Sequence, residues 1–462
     1  MKLGKKKANW SNPDTTAENE ILPKWFSLAW TSRGTAVSIN AVFIGYITYY
    51  ATDMLGLSAG LIGMLILVSK VFDGFTDLVA GFLIDKTHTK LGKARPYEVF
   101  IVFAWICTII MFSVPDWGTT AKAAIVFIMY TLLNAVCITF LGAEDAVYMR
   151  RSIRSPKNRV TVMSVSGSIG MIAVVGFSII FPQLMASIGT TKAGWSKLAV
   201  MIGVPMALIG ILRMVFIKEV VEEDEENQER KEKIEFKTMI SAIAKNKYIF
   251  IIAALNFITF VISGLNTTAT TYYFRYIVGD IGLMSVASMA AMTTPLFLIV
   301  FPMLNRKFGS TKIMRAAAVF GIVGIVIRTL GGTNMNTILL GGIIASVASI
   351  PLTVMINAYL IDCMDYGEWK TGIRVEGGLN SVSNFMGKIG MAASSGLVGL
   401  IMGVAGYDGT ASVQTAAANH AIIAVYNYLP LILYVLMFVL SLFYKVEKYM
   451  PEIKKALEHK SV

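Results

Sequence analysis

The chain has 462 residues, a net charge of +12, 55% hydrophobic side chains, only 15% charged ones and a mean hydropathy of +0.64. A soluble domain carries nearer a quarter charged residues. A soluble enzyme or nucleic-acid binder is therefore excluded, and a polytopic membrane protein is expected, with the lipid bilayer as its surroundings. No nucleophile–base set, phosphate loop or metal spacing appears, so neither enzyme nor cofactor is expected. Cys107, Cys137 and Cys363 lie in apolar segments with no disulfide framework and are expected to pack as small apolar side chains.

Residues 1–25 form a polar, basic tail without the apolar core of a cleavable signal. Twelve apolar segments follow, at 26–50, 57–84, 97–115, 121–147, 160–186, 195–217, 247–276, 282–304, 313–331, 337–362, 375–404 and 420–444. Each suffices for a hydrocarbon layer of about 30 Å, and helices are the economical way to span it. The acidic run within 218–246 reads as a solvated cytoplasmic linker. It separates a six-span half, 26–217, from a second, 247–444, before a tail at 445–462. The expected fold is all-α, with twelve transmembrane helices in two six-helix halves.

Lys and Arg crowd one set of loops. Lys86, Lys90, Lys93 and Arg95 follow span two, Arg150, Arg151, Arg154, Lys157 and Arg159 follow span four, and Arg306, Lys307, Lys312 and Arg315 follow span eight. The opposite loops offer little beyond Lys122, Lys192 and Lys197. The positive-inside rule then places both termini in the cytoplasm, with a bacterial inner membrane as the expected site.

Span two carries Lys70, Asp73 and Asp77 within LIGMLILVSKVFDGFTDLVAGFLI. A carboxylate at mid-bilayer costs about 2.5–3.5 kcal/mol on insertion scales. The three- and four-residue spacings put all three side chains on one helical face, which points to a cation or proton pathway. Sodium is suited by oxygen ligands. Asp73, Thr76 and Asp77 supply three from one helix, and Thr131 can complete the set from another. Two close carboxylates also titrate as a pair and can carry a proton. Lys70 and Lys388 are candidate counter-charges for the empty site.

The halves echo one another. Thr89-Lys90-Leu91-Gly92-Lys93-Ala94-Arg95 follows span two, and Arg306-Lys307-Phe308-Gly309-Ser310-Thr311-Lys312 follows span eight. A shared basic-x-Gly-x-x-basic pattern at one place in each half marks an internal repeat. Two parallel six-helix halves make the major facilitator architecture.

Gly81 through Pro96, containing Asp85, Lys86, Gly92, Lys93 and Arg95, resembles the signature loop of major facilitators. Tyr49-Tyr50-Ala51-Thr52-Asp53, Asp73-Gly74-Phe75-Thr76-Asp77 and the stretch Asp365-Tyr366-Gly367-Glu368-Trp369-Lys370-Thr371-Gly372-Ile373-Arg374 narrow this further. Together they resemble the glycoside–pentoside–hexuronide:cation symporter family, over about residues 26–445. The resemblance implies a symporter of a small-molecule sugar or glycoside, driven by Na+ or H+ through alternating access, and a monomer. It implies that Asp73, Asp77 and Thr131 hold the coupling cation, with Lys388 near them. Thr76 stands where melibiose-carrying members have an amide. Those members grip galactosyl hydroxyls with two aspartates, and the matching positions here are Ala36 and Asn134, so a melibiose-type grip is not expected.

Arg33 is the candidate for an anionic substrate such as a uronide, set against the commoner reading of a cation near the cytoplasmic end that snorkels or is paired. Tyr272, Tyr273, Asn357, Tyr359 and Asn384 are candidates for sugar contacts, because aromatic faces stack on sugar rings and amides bond hydroxyls. Asp85, Arg95, Glu144, Asp145, Arg150, Asp365, Glu368 and Arg374 are candidate gate residues, with Glu144 and Asp145 expected to pair with Arg150, Arg151 or the 365–374 segment. Small residues along span eleven suit close helix packing. The rival function is a proton-coupled exporter of amphipathic compounds on the same fold.

Overall fold

A computed structural model describes residues 8–12, 15–220, 241, 243–293, 300, 303–305, 307–354, 356–372 and 376–458. The chain divides into two compact units. Unit 1 is Met1–Leu57 with Met64–Arg230, and unit 2 is Ser58–Gly63 with Lys231–Val462. Every regular element among the described residues is a helix, with no strand beyond the isolated bridge between Thr89 and Gly92. Seven described helices are long and apolar enough to cross a membrane, and Ala59–Lys70 and Met335–Ala348 are shorter apolar stretches.

Unit 1 is built from α1 (Phe26–Ile44), the part of α2 (Ala59–Lys86) from Met64 onward, α3 (Phe100–Met111), α4 (Thr119–Ser152), α5 (Pro156–Ser187) and α6 (Lys192–Phe216). Local chemistry sets several boundaries. Helix α5 starts on Pro156, whose fixed φ suits the first turn and whose missing N–H has no intrahelical bond to lose. The Thr191 side chain caps α6 by accepting from the Gly194 N–H. In the core, Phe43 packs edge-on against Phe112 and Phe181 at 4.7 and 5.1 Å, and Trp195 stacks on Phe112 at 5.4 Å. The Asp116 loop neutralises two of the sparse lysines. Lys192 and Lys122 both pair with it, and the hydrogen bond from Lys192 holds its carboxyl below the ordinary range.

In unit 2, Lys247–Tyr272 lies against Glu376–Val404 at contacts only glycine allows. A Cβ at Gly390 would come 2.5 Å from the Phe257 carbonyl oxygen, and one at Gly264 would overlap Ser394. Ser310–Leu330 meets Met335–Val354 the same way, with a Cβ at Gly324 landing 2.6 Å from the Gly341 carbonyl oxygen. The three cysteines are free and buried.

The two echoing loops carry one lock. In unit 1 the Glu219 carboxylate accepts from the backbone N–H groups of Lys93, Ala94 and Arg95 at 3.0, 2.7 and 2.8 Å, and from Arg151 Nε at 2.5 Å. In unit 2 the Glu447 carboxylate accepts from Ser310 and Thr311 N–H at 3.1 and 3.2 Å. Gly92 and Gly309 make room with φ of +120° and +83°, and a Cβ on either would lie within 2.4 Å of the facing carboxylate. Each acid follows the last long helix of its unit. Glu219→Ala should destabilise the protein by about 3 kcal/mol, because buried donors lose a charged acceptor. Glu447→Ala, which frees fewer donors, should cost less. Thermal unfolding of the two purified variants measures the difference, and equal midpoints would contradict it.

Candidate functional site

The polar stripe of α2 meets α4 inside unit 1. Lys70 Nζ donates to Asp73 Oδ2 and to Asn134 Oδ1, each at 2.9 Å, and sits 5.7 Å from the Tyr130 ring centre. Asn134 Nδ2 donates to the Tyr130 carbonyl at 3.0 Å, which fixes its amide orientation. The backbone of α4 takes a wider π-type turn at Leu132–Ile138, around Asn134, a feature frequent at functional sites. Asp73 is 4% exposed, and among the described residues its Oδ1 has no hydrogen-bond partner; neither has the buried Thr131 Oγ1. Thr76 turns its hydroxyl back to the Phe72 and Asp73 carbonyls, both at 3.2 Å. The side chain of Asp77 lies outside those described. Asn134, a sugar candidate by resemblance, is thus found beside Asp73 as a partner of Lys70. Lys388 is half-buried on Glu376–Val404 in unit 2.

A second ionic cluster in unit 1 engages residues expected in two other roles. Arg33, the candidate for an anionic substrate, is 7% exposed, with its guanidinium against Glu98 at 3.6 Å, Glu144 at 3.4 Å and Asp145. Arg213 reaches the same acids, Glu98 at 3.0 Å, Glu144 at 3.8 Å and Asp145 at 2.7 Å. Its guanidinium lies 3.7 Å from the Trp30 ring centre and 4.8 Å from that of Tyr148. Arg33 and Arg213, rather than Arg150 or Arg151, therefore pair with Glu144 and Asp145. The reason is helical direction. Glu144 is buried and Asp145, partly exposed, faces Arg33 of α1 and Arg213 of α6, whereas Arg150 is exposed and Arg151 reaches out to Glu219. Arg95 Nε donates to the Met214 carbonyl at 2.8 Å, tying the signature loop to α6.

The tyrosines expected on a sugar cavity are packed inside unit 2. Tyr273 is 2% exposed, stacks on Tyr426 at 4.1 Å and donates to the Gly332 carbonyl at 2.9 Å. Tyr359 is buried and donates to the Ser310 carbonyl at 3.2 Å, beside Tyr444. Tyr272 is buried edge-on to Tyr407 at 5.3 Å. Asp365 and Glu368 are half-buried on Ile356–Thr371. The side chains of Asp85, Asn357 and Asn384, and all of Arg374, fall outside the described residues.

Glu98, Arg213 and Tyr130 were missed from sequence, and Glu219, read as the start of a solvated linker, instead has a buried side chain, because it accepts from three backbone N–H groups and Arg151. Glu98 and Arg213 fall inside apolar segments as drawn, at 97–115 and 195–217, so the criterion that singled out Asp73 applies to both.

Residues 34–448 match the family model described as MFS/sugar transport protein. The isoprimeverose transporter of Lactiplantibacillus pentosus is 30% identical over 430 residues, covering 90% of this chain and 87% of that protein. The glucuronide carrier protein homolog of Escherichia coli (strain K12) is 23% identical over 394 residues, covering 83% of each chain. Among solved structures, a mutant form of the nucleoside transporter NupG superposes with a TM-score of 0.64 at 14% identity, over 90% of this chain and 99% of that one. That likeness concerns the fold alone. With the family model spanning nearly the whole sequence, the chain belongs to the MFS/sugar transport proteins, as a member of their glycoside–pentoside–hexuronide branch.

Proposed function

We propose that the protein is a secondary active symporter carrying a glycoside, pentoside or uronide into a bacterial cell by alternating access, and that its coupling ion is the proton. It is a monomer of the cytoplasmic membrane with both termini inside the cell. The relatives carry the sugar reading, and the Lys70–Asp73–Asn134 cluster carries the choice of ion.

Sodium asks for a shell of oxygens. Here Asp73 Oδ2 and Asn134 Oδ1 face an ammonium, and the Thr76 hydroxyl is turned onto its own helix. A sodium ion about 4 Å from Lys70 would meet roughly 4 kcal/mol of repulsion at an effective dielectric of 20. A proton needs no shell. Placed on Asp73, it neutralises the carboxylate and releases Lys70, which changes the local charge pattern for the sugar to sense. By linkage the sugar then favours proton binding to the same degree.

Proteoliposomes test this with labelled isoprimeverose and a glucuronide. An inward proton gradient should drive accumulation, sodium should add nothing, and sugar entry should alkalise the medium. Sodium-driven uptake without proton movement would sink the proton assignment. Movement only outward would favour the exporter. Lys70→Asn should weaken proton-driven accumulation at least about fivefold and make uptake respond to sodium, because an oxygen ligand replaces the ammonium.

A further inference from the structure

We propose that Arg154 is a clip. It fastens the polar segment ahead of α1 and the start of the linker to one point on unit 1, so that loosening either segment loosens the other. The inference is independent of the sugar and of the coupling ion.

A polar, basic composition gives the segment ahead of α1 little reason to fold. Its described residues are nevertheless folded back and docked. The Asn9 N–H donates to the Ile21 carbonyl at 3.1 Å. The Asn9 side chain accepts from the Ile21 N–H at 2.7 Å and donates to the Asn19 carbonyl at 3.0 Å. Ordering such a loop costs conformational entropy, so it needs anchors. Trp10 is the first. Its side chain is buried edge-on to Phe26 at 5.2 Å, in a cluster that includes Tyr148, Ile153 and Ile217. Glu20 is the second. Its carboxylate is buried and accepts from the N–H groups of Arg154 and Ser155 at 2.8 and 3.0 Å, and from Asn158 Nδ2 at 3.0 Å. These donors stand at the start of α5, where a negative charge is favoured.

Arg154 ties this segment to the linker. Its Nη1 donates to the Trp10 carbonyl at 2.8 Å and its Nη2 to the Val220 carbonyl, also at 2.8 Å. The Val220 N–H is held in turn by the Arg151 carbonyl at 2.8 Å. The guanidinium is a rigid planar fork, so it serves both carbonyls only while both segments are in place. Its own N–H is taken by Glu20, which adds a third tie at the same residue. Glu219, one residue before Val220, locks the 93–95 loop. The linker therefore leaves unit 1 from a point fixed by the lock on one side and by the clip on the other.

The consequence is a conformational coupling between two segments far apart in the chain. Coupling is reciprocal: whatever order the segment ahead of α1 lends the linker, the linker lends back with the same free energy. The linker joins the first six-span half to the second in sequence, so the segment ahead of α1 is a handle on where that connection departs from unit 1. The rival source of coupling is the apolar cluster, which holds both Trp10 and Ile217 and has Val220 packed against it. The two sources separate in a double variant.

Amide hydrogen exchange of the full-length protein in nanodiscs is read on peptides covering 8–22 and 215–220. Glu20→Ala alters the first segment, and its described bonds go to Arg154, Ser155 and Asn158 rather than to the linker. Exchange should nevertheless rise in both segments, by roughly tenfold, the worth of a hydrogen bond to a charged group. Val220→Pro, which lacks the N–H that Arg151 holds, should speed exchange in 8–22 as well. In an Arg154→Met background both segments should already exchange fast, and Glu20→Ala should change nothing further at 215–220. Asn9→Ala, whose lost bonds all lie within 9–21, is the milder variant and should repeat the pattern. Faster exchange confined to the substituted segment overturns the proposal. So does wild-type protection of both segments in Arg154→Met. An effect of Glu20→Ala or Asn9→Ala on 215–220 that persists without Arg154 overturns it too, and assigns the coupling to the apolar cluster.

Discussion

Asp73→Asn should abolish concentrative uptake while leaving downhill sugar exchange. Asp73 is the fully described acid of the α2 stripe, and its Oδ2 is the anionic partner of Lys70. An amide keeps the size and can still accept from the ammonium, so the helix contact between α2 and α4 survives. It cannot take up and release a proton between pH 5 and pH 8, so an imposed proton gradient has nothing to act on at this position. Sugar affinity should also fall, by about 5- to 150-fold, the usual range for a coupling free energy between two sites. Counterflow and active uptake must be measured on the same proteoliposomes. Active uptake should fall to the equilibration level while counterflow continues at higher sugar concentrations. Normal accumulation by Asp73→Asn would remove Asp73 from the coupling site. Loss of both activities with a normal unfolding midpoint would move the residue from coupling to sugar binding.

The helical class and the α2 stripe were legible because both depend on local facts. A long apolar run names a helix, and a carboxylate inside one has no neutral explanation. The repeated loops were also legible, as a spacing around Gly92 and Gly309. Their lock was not, because Glu219 lies 124 to 126 residues beyond the amides it accepts from, and Glu447 lies 136 or 137 beyond its own. Arg33 shows the same limit. One residue in α1 reads as an anion ligand or, more readily, as a snorkelling or paired cation, and its partners stay unknown until Glu98, Glu144 and Asp145 arrive from other segments. Tyr273 and Tyr359 were expected at a cavity because sugars favour aromatic rings. Which face of a helix is covered is a tertiary matter, and each ring proves to be packed, with its hydroxyl donating to a backbone carbonyl. Glu98 and Arg213 are a different failure. Both sit near segment ends, where charge is ordinarily explained by snorkelling to the interface, yet Arg213 is 1% exposed and Glu98 is fully buried.

That burial makes Arg213 the position of largest expected structural effect. Its guanidinium touches three acids and lies over two aromatic rings. Removing one partner from a buried ionic cluster costs about 3–5 kcal/mol, because the remaining charges stay desolvated without compensation. Arg213→Met keeps the volume and the aromatic contact but leaves, among the described residues, Arg33 as the one cation ion-paired with Glu98, Glu144 and Asp145. It should fall in that range. Arg213→Lys should recover only part of the loss, since one ammonium cannot match the fork that serves Glu98 and Asp145 together. Adding Glu98→Gln to Arg213→Met removes the acid that Arg213 approaches at 3.0 Å, so the double variant should be more stable than the sum of the singles. The coupling should lie within about 0.5–3 kcal/mol, the range for residues of one network. Thermal unfolding of the four proteins in one detergent closes the cycle. An Arg213→Met variant within about 0.5 kcal/mol of wild type would match an ordinary surface substitution, and the cluster would then hold unit 1 together far less than its burial implies.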